Sequence, residues 1–395
     1  MKNLVVPSAF RAAPRSQQFA QRRSVDLAAI RSTIDDALSS VGLNARNTGV
    51  GGDVAATIDQ ALSAAGLTAG AAPQRVHATA LPKFAQPRGA PPSAPALRAE
   101  PANPGDFLGR SFTSDAGTRA YKLYVPTTYA AQPELRLPLV VLLHGCTQSA
   151  DDFAAGTRMN ALAEQHGFLV AYPEQATNAN GSRCWNWFRA SDQQRDSGEP
   201  SLIAGITREI LTAYRVDERR IYVAGLSAGA AMAVVLGATY PDLYAAVGAH
   251  SGLAYASAHD VPSAFAAMKG GAAGSRGGYR DNMRHAARAV PTIVFHGDAD
   301  QTVASANGAL IVDQAIGALC NRADFSEVSD EGLVAGHAYT RTLYRIGAET
   351  PIAEHWTIRG GGHAWSGGST SGSYTDAHGP DASAEMLRFF KTHAR

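Results

Sequence analysis

Cysteine is scarce in this chain: Cys146, Cys184 and Cys320 are the full complement among 395 residues. That is too few for a disulfide framework at this length, and the spacing matches no metal-ligand pattern. The cytoplasm is the compartment expected, with a single Cys146 to Cys184 bridge left open. An excess of charge of one sign is also missing, since 35 Lys+Arg face 34 Asp+Glu. No long-range field recommends nucleic acid or an anionic membrane as a partner, and a neutral or weakly charged substrate fits better. No uninterrupted apolar run of about 18 residues occurs, so a membrane span is not expected. The opening MKNLVVPSAFRAAPRSQQFAQRRSV has an apolar patch broken by Pro7 and Arg11, shorter than the roughly 7 to 15 residues a secretory signal needs. No signal peptide is expected. No H-E-x-x-H motif or Cys/His cluster appears among the 12 histidines, so neither a metal nor another cofactor is implied.

What is present suffices for one large core and an appendage, with 45% hydrophobic residues. Residues 1–75 are rich in Ala, Ser, Thr and Gly and contain an internal echo, TIDDALSSVGLNA at 33–45 and TIDQALSAAGLTA at 57–69. Each copy sets apolar residues at helical spacing before a glycine, which predicts two short amphipathic helices. Two copies are too few for a solenoid. The segment reads as a helical appendage, either weakly ordered or docking on a partner or an apolar surface. Residues 76–104 are dense in Pro and Ala without periodicity, the composition of an extended linker.

Across 105–395 strands and helices alternate. Strands are predicted at 121–125, 137–145, 168–174, 221–227, 245–252, 292–300 and 354–360, with helices at 153–167, 201–214, 228–240 and 382–394. Continuous apolar runs point to a mostly parallel sheet covered on both faces, and such sheets bind ligands beyond the carboxyl ends of their strands.

Several conspicuous residues fall at those ends. Gly225-Leu226-Ser227-Ala228-Gly229 is a G-x-S-x-G between the strand IYVA and the helix AGAAMAVVLGATY. Glycines on both sides permit the sharp turn that exposes a serine hydroxyl. The plainer alternative is that Ser227 caps the helix. Serine needs a base, and the base needs an orienting acid. His363 in RGGGHAWSGG follows the last strand in a glycine-rich loop, and it is preferred over His250, His355 and His378. FHGDADQTV offers Asp298 and Asp300; Asp300 reaches further into the loop and is preferred, with Asp298 a turn former.

An acyl-transfer intermediate also needs two N–H donors for its oxyanion. Ala228, next after the serine, supplies one, and the loop His144-Gly145-Cys146-Thr147 supplies the other, through Cys146. Cys146 as a nucleophile is disfavoured because it lacks the strand-to-helix elbow. CWNWF at 184–188 sets Trp185 and Trp187 in a polar loop, and Trp365 lies two positions after His363. Either they pack into the core or they form an apolar platform for an acyl chain.

LLHGCTQ, CWNWF, GLSAGAAMA, HGDADQTV, GGGHAWSGG and GSYTDAHGPDASAEMLRFF, in this order over about 110–392, resemble the poly(3-hydroxybutyrate) depolymerase esterases, relatives of feruloyl and acetylxylan esterases. The resemblance implies an α/β-hydrolase fold, a mostly parallel sheet flanked by helices. It implies Ser227 as nucleophile, Asp300 as acid, His363 as base and the Cys146 amide in the oxyanion hole. It further implies an ester substrate, a hydroxyalkanoate polymer or oligomer. A feruloyl or acetylxylan esterase is the alternative, and a non-catalytic binder on a hydrolase scaffold a distant one. The 1–75 helices then become a candidate means of association with a polymer granule.

Overall fold

The computed structural model describes residues 104–270, 290–317, 322–347 and 350–395. The expected helical appendage, the linker up to residue 103 and Cys320 lie outside the described residues.

Strand β1 (Asp106–Ser114) and β2 (Gly117–Val125) form an antiparallel hairpin. They are followed by β3 (Leu137–Leu143), β4 (Leu169–Pro173), β5 (Val216–Leu226), β6 (Ala246–His250) and β7 (Thr292–Gly297). The last large strands are β8 (Phe325–Val334), β9 (His337–Ile346) and β10 (Ala353–Ile358). Together they make one sheet in the order β1-β2-β4-β3-β5-β6-β7-β10-β9-β8. Pairing is parallel from β4 across to β10 and antiparallel at both edges. A separate two-residue pair, β11 (Trp365–Ser366) with β12 (Thr375–Asp376), lies in the loop region after β10.

The central strands alternate between two buried clusters, as strands covered on both faces must. In β3, Leu139, Val141 and Leu143 belong to one cluster and Val140 and Leu142 to the other; in β5, Ile221 and Val223 oppose Tyr222, Ala224 and Leu226. β1, β8 and β9 have no counterpart among the expected strands. They pair antiparallel at the rims, and most of their side chains are not buried, so they lack a long apolar run.

The covering helices are α1 (Thr127–Ala131), α2 (Ala150–Thr157), α3 (Met159–His166), α4 (Gly198–Ala213), α5 (Ala228–Thr239), α6 (Val261–Met268), α7 (Ala306–Ile316) and α8 (Ala382–Lys391). The single helix expected over 153–167 is two, broken where Arg158 takes a left-handed conformation (φ 54°). The Arg158 guanidinium holds that break by donating to the Gly367 carbonyl at 2.7 Å and to Asp381 at 2.9 Å. Asp381 also caps α8 through the Ala384 N–H, and Phe390 of α8 stacks on Tyr222 of β5 at 4.7 Å. Helix α5 is buried over nearly its whole length, which fixes the position of the turn that precedes it. No helix among the described residues is long and apolar enough to cross a membrane.

Candidate active site

β5 ends at Leu226, α5 begins at Ala228, and Ser227 alone makes the turn, with φ 57° and ψ −120°. A non-glycine residue there carries roughly 1–3 kcal/mol of backbone strain, tolerated only where the surroundings over-determine it. Two close approaches do so. A Cβ at Gly229 would lie 2.2 Å from the Leu143 carbonyl oxygen, and one at Gly225 would lie 2.5 Å from the Gly229 carbonyl. Helix α5 therefore starts against the end of β3. The Ser227 N–H donates to the His250 carbonyl at 2.9 Å. The serine hydroxyl makes no capping bond to α5, and the residue is partly open to solvent. Ala228 N–H stands at the first position of the helix, where no carbonyl of a preceding turn can receive it.

The loop after β3 is pinned from several directions beside this turn. Gly145 N–H donates to Gln148 Oε1 at 2.9 Å, and Gln148 Nε2 donates to Asp152 at 2.8 Å and to the Ser373 carbonyl at 3.0 Å. Burial pushes the His144 imidazole pKa down; its Nε2 accepts from Gln175 N–H at 3.0 Å, which leaves Nδ1–H to donate to the Gly145 carbonyl at 2.7 Å. The Trp185 indole N–H donates to the His144 carbonyl at 3.2 Å. Cys146 is joined to Cys184 by a disulfide, which removes any thiolate from the loop. The Cys146 N–H makes no hydrogen bond to the described residues. Behind the disulfide, buried Glu199 accepts from the Asn186 backbone N–H at 2.7 Å, from Gln175 at 2.5 Å and from Arg119 at 3.3 Å.

His363 Nδ1 donates to Asp300 Oδ2 at 2.7 Å. Asp300 Oδ1 accepts from the N–H groups of Thr302 and Val303, each at 2.8 Å. Burial alone would raise the Asp300 pKa, but His296, His363 and the Val303 amide together hold it far below the usual carboxylate range. His296 Nε2 is 3.5 Å from Asp300 Oδ2 and 2.9 Å from the Val303 carbonyl. Asp298 does something else: its Oδ1 accepts from Gly360 N–H at 2.6 Å, tying the end of β7 to the loop that leads to His363.

The other histidines weighed from the sequence have separate places. His250 is buried, its Nε2 accepts from Ser366 N–H at 3.1 Å, and burial, then His296 and His363, push its pKa down to about 3. His355 lies in β10 and is lowered to about 4 by burial and then His296. His378 is exposed and faces Asp376.

The tryptophans require a correction. Trp185 and Trp365 are wholly buried, in different clusters on opposite faces of the sheet. The Trp365 indole N–H is bound to Ser383 Oγ at 3.0 Å, and its ring stacks on His250 at 5.3 Å. Of the two readings the sequence leaves open, core packing and an apolar platform, this burial fits the first: Trp185 braces the loop after β3 and Trp365 lies against His250 and Ser383. Trp187 is buried against Phe188, which is partly exposed. Sequence reasoning also missed His296, Gln148 and Glu199. His296 stands four residues before Asp300, on the same strand end, and that spacing was the available signal.

A family profile described as esterase PHB depolymerase matches residues 119–324, just over half of the chain. The chain belongs to the PHB depolymerase family of esterases. Among its relatives, poly(3-hydroxyalkanoate) depolymerase C of Paucimonas lemoignei is 34% identical over 258 residues, 64% of this chain and 60% of the relative. Poly(3-hydroxybutyrate) depolymerase of Ralstonia pickettii is 30% identical over 304 residues, 71% of this chain and 60% of the relative. The chain thus matches about 60% of the length of each of these curated relatives. An acetyl xylan esterase structure from Aspergillus awamori aligns with 73% of this chain and 100% of its own, with TM-score 0.54 and 18% identity, a likeness of α/β-hydrolase fold. The esterase family profile ends before His363.

Proposed function

We propose that this PHB depolymerase-family protein is a serine esterase that hydrolyses hydroxyalkanoate esters through an acyl-enzyme. Ser227 Oγ attacks the ester carbonyl while His363 Nε2 takes its proton. Asp300, ionised and anchored by backbone N–H groups, keeps Nδ1–H in place and stabilises the imidazolium. The N–H groups of Cys146 and Ala228 receive the oxyanion. His363 then returns the proton to the leaving alcohol, and water repeats the sequence on the acyl-enzyme. The observation that carries this reading is the 2.7 Å bond between His363 and Asp300, taken together with a serine in a strained strand-to-helix turn. The names of the two depolymerase relatives support the choice of a polyester or its oligomers as substrate. Trp187 with Phe188 is retained as the contact for the acyl part.

For location, the Cys146–Cys184 disulfide favours an oxidising compartment over the cytoplasm expected from the sequence, because cytosolic thiols are kept reduced. Thiol titration of the denatured protein from its native source should find one free thiol per chain; three would return it to the cytoplasm. The segment 1–75, for which the sequence predicts two amphipathic helices, is proposed to dock on a polyester surface. Deleting residues 1–100 should then abolish particle binding and spare hydrolysis of a soluble ester.

The deciding experiment incubates the protein and Ser227→Ala with amorphous poly(3-hydroxybutyrate), its oligomers, methyl ferulate and acetylated xylan. Ser227-dependent release of 3-hydroxybutyrate is expected. Ferulate or acetate alone would move the substrate to plant polysaccharide esters, and full activity in Ser227→Ala would overturn the mechanism.

A further inference from the structure

Two parts of the chain distant in sequence meet at one small cluster of side chains. His337 opens β9, Asp376 ends β12, and His378 follows two positions later. One ligand atom from each lies within 4.8 Å of the other two. His337 Nε2 is 3.0 Å from Asp376 Oδ2, and His378 Nδ1 is 2.9 Å from Asp376 Oδ1.

The tautomer of His337 makes this more than a polar cluster. Its Nδ1 is 2.8 Å from the Arg359 carbonyl oxygen, which has no proton to give, so Nδ1 carries the hydrogen. In the neutral ring Nε2 is then a bare lone pair, and it faces a carboxylate oxygen. Two acceptors at that separation need a cation between them, a proton or a metal ion. An imidazole held by an Nδ1–H to carbonyl bond with Nε2 pointing outward is also the usual support of a metal-ligating histidine. We propose that His337, Asp376 and His378 form a binding site for a borderline divalent transition-metal ion of the zinc type.

The donor set selects the class of ion. Two imidazoles and one carboxylate suit Zn²⁺ and its neighbours, whereas Ca²⁺ and Mg²⁺ take oxygen ligands. Ligand bonds of about 2.0 Å in a tetrahedron put neighbouring ligand atoms about 3.3 Å apart, close to the two separations above. His378 is well exposed, with 67% of its side chain accessible, which leaves an entry path and room for water as a further ligand. The ion would clip the start of β9 to the 375–378 stretch. Both flank the loop that carries His363, so the expected consequence is a stiffer frame around the base. No step of ester hydrolysis passes through it, and the inference stands or falls apart from the esterase reading.

The test uses full-length protein without a histidine tag, stripped with EDTA and dialysed, titrated with ZnCl₂ by calorimetry at neutral pH. One equivalent per chain should bind and should raise the melting temperature, equally in a Ser227→Ala background. Asp376→Asn and His337→Ala should each weaken binding by more than about 100-fold, the upper range for losing a mere supporting residue. Exposed His378→Gln, which carries little folding risk, should weaken it by at least about 10-fold while leaving the metal-free melting temperature unchanged. Absence of a saturable one-equivalent event in the wild type, or equal binding by His378→Gln and Asp376→Asn, would overturn the proposal.

Discussion

The two halves of the candidate site are held by different means. Around Ser227 the geometry is made by backbone: two glycines at van der Waals limits, a strained φ, a buried helix start and a disulfide-pinned loop. Around His363 side chains share the task with backbone: Asp300 holds the imidazole, Asp298 holds the Gly360 N–H, and Ala299 N–H donates to the Gly361 carbonyl at 3.1 Å, while Gly362 is exposed and has no atom within 4 Å of a notional Cβ. Backbone-defined positions tolerate almost no change in shape, whereas side-chain-defined positions tolerate changes of shape but not of charge or donor pattern.

The largest expected effects separate chemistry from support. Ser227→Ala should lower kcat by about 10⁵- to 10⁶-fold with an unchanged melting temperature, and Asp300→Asn by about 10⁴-fold through the wrong His363 tautomer. Asp298→Asn, which loosens only the Gly360 tie, should cost less than about 10-fold; a larger loss there than at Asp300 would exchange their roles. Next comes the disulfide. Cys146→Ser with Cys184→Ser opens a 38-residue loop, for which chain entropy predicts about 4 kcal/mol of lost stability. Loosening of the oxyanion donor should lower kcat by up to about 100-fold. Urea unfolding and steady-state kinetics on the same variant read both.

A sharper contrast is between two glycines. Gly229→Ala should cost about 1–3 kcal/mol or more, because the added methyl meets carbonyl oxygens rather than a movable side chain. Gly362→Ala should stay within about 0.5 kcal/mol. Equal urea midpoints for the two would remove the distinction drawn above.

Acid should weaken the histidine side by a smaller amount. His250 and His355 are lowered to about 3 and about 4, so below about pH 6.5 the unfolded chain takes up protons that the native state refuses. Stability should therefore fall as pH drops from about 6.5 toward those values, by about 2 kcal/mol per histidine at pH 5. His355→Asn should flatten the melting-temperature curve over that range.

The same contrast explains what was legible in the sequence. The elbow could be read because glycine and serine at fixed spacing between an apolar strand and an apolar helix have few structural uses. The central strands could be read for the same reason, as unbroken apolar runs. β1, β8 and β9 could not, since half-exposed antiparallel edges carry no such signature. Trp185 and Trp365 stayed ambiguous because a polar flank says nothing about which way a ring turns, and burial is decided by the sheet above it. The break at Arg158 depends on Gly367 and Asp381, more than 200 residues away. His337 and Asp376 stand 39 residues apart, and only the hairpin and the small β11–β12 pair bring them together.

The parallel register of β10 on β7 has a kinetic meaning. Ala353 lies opposite Thr292 and Ile358 opposite Gly297, so this pairing closes about 60 residues of chain before any of its contacts form. Such closures are slow relative to local helix and hairpin formation. His363 and Asp300 sit just beyond those paired ends, on loops without helical content of their own. During refolding, catalytic competence would be among the last properties to return, trailing far-ultraviolet ellipticity and the burial of Trp185 and Trp187.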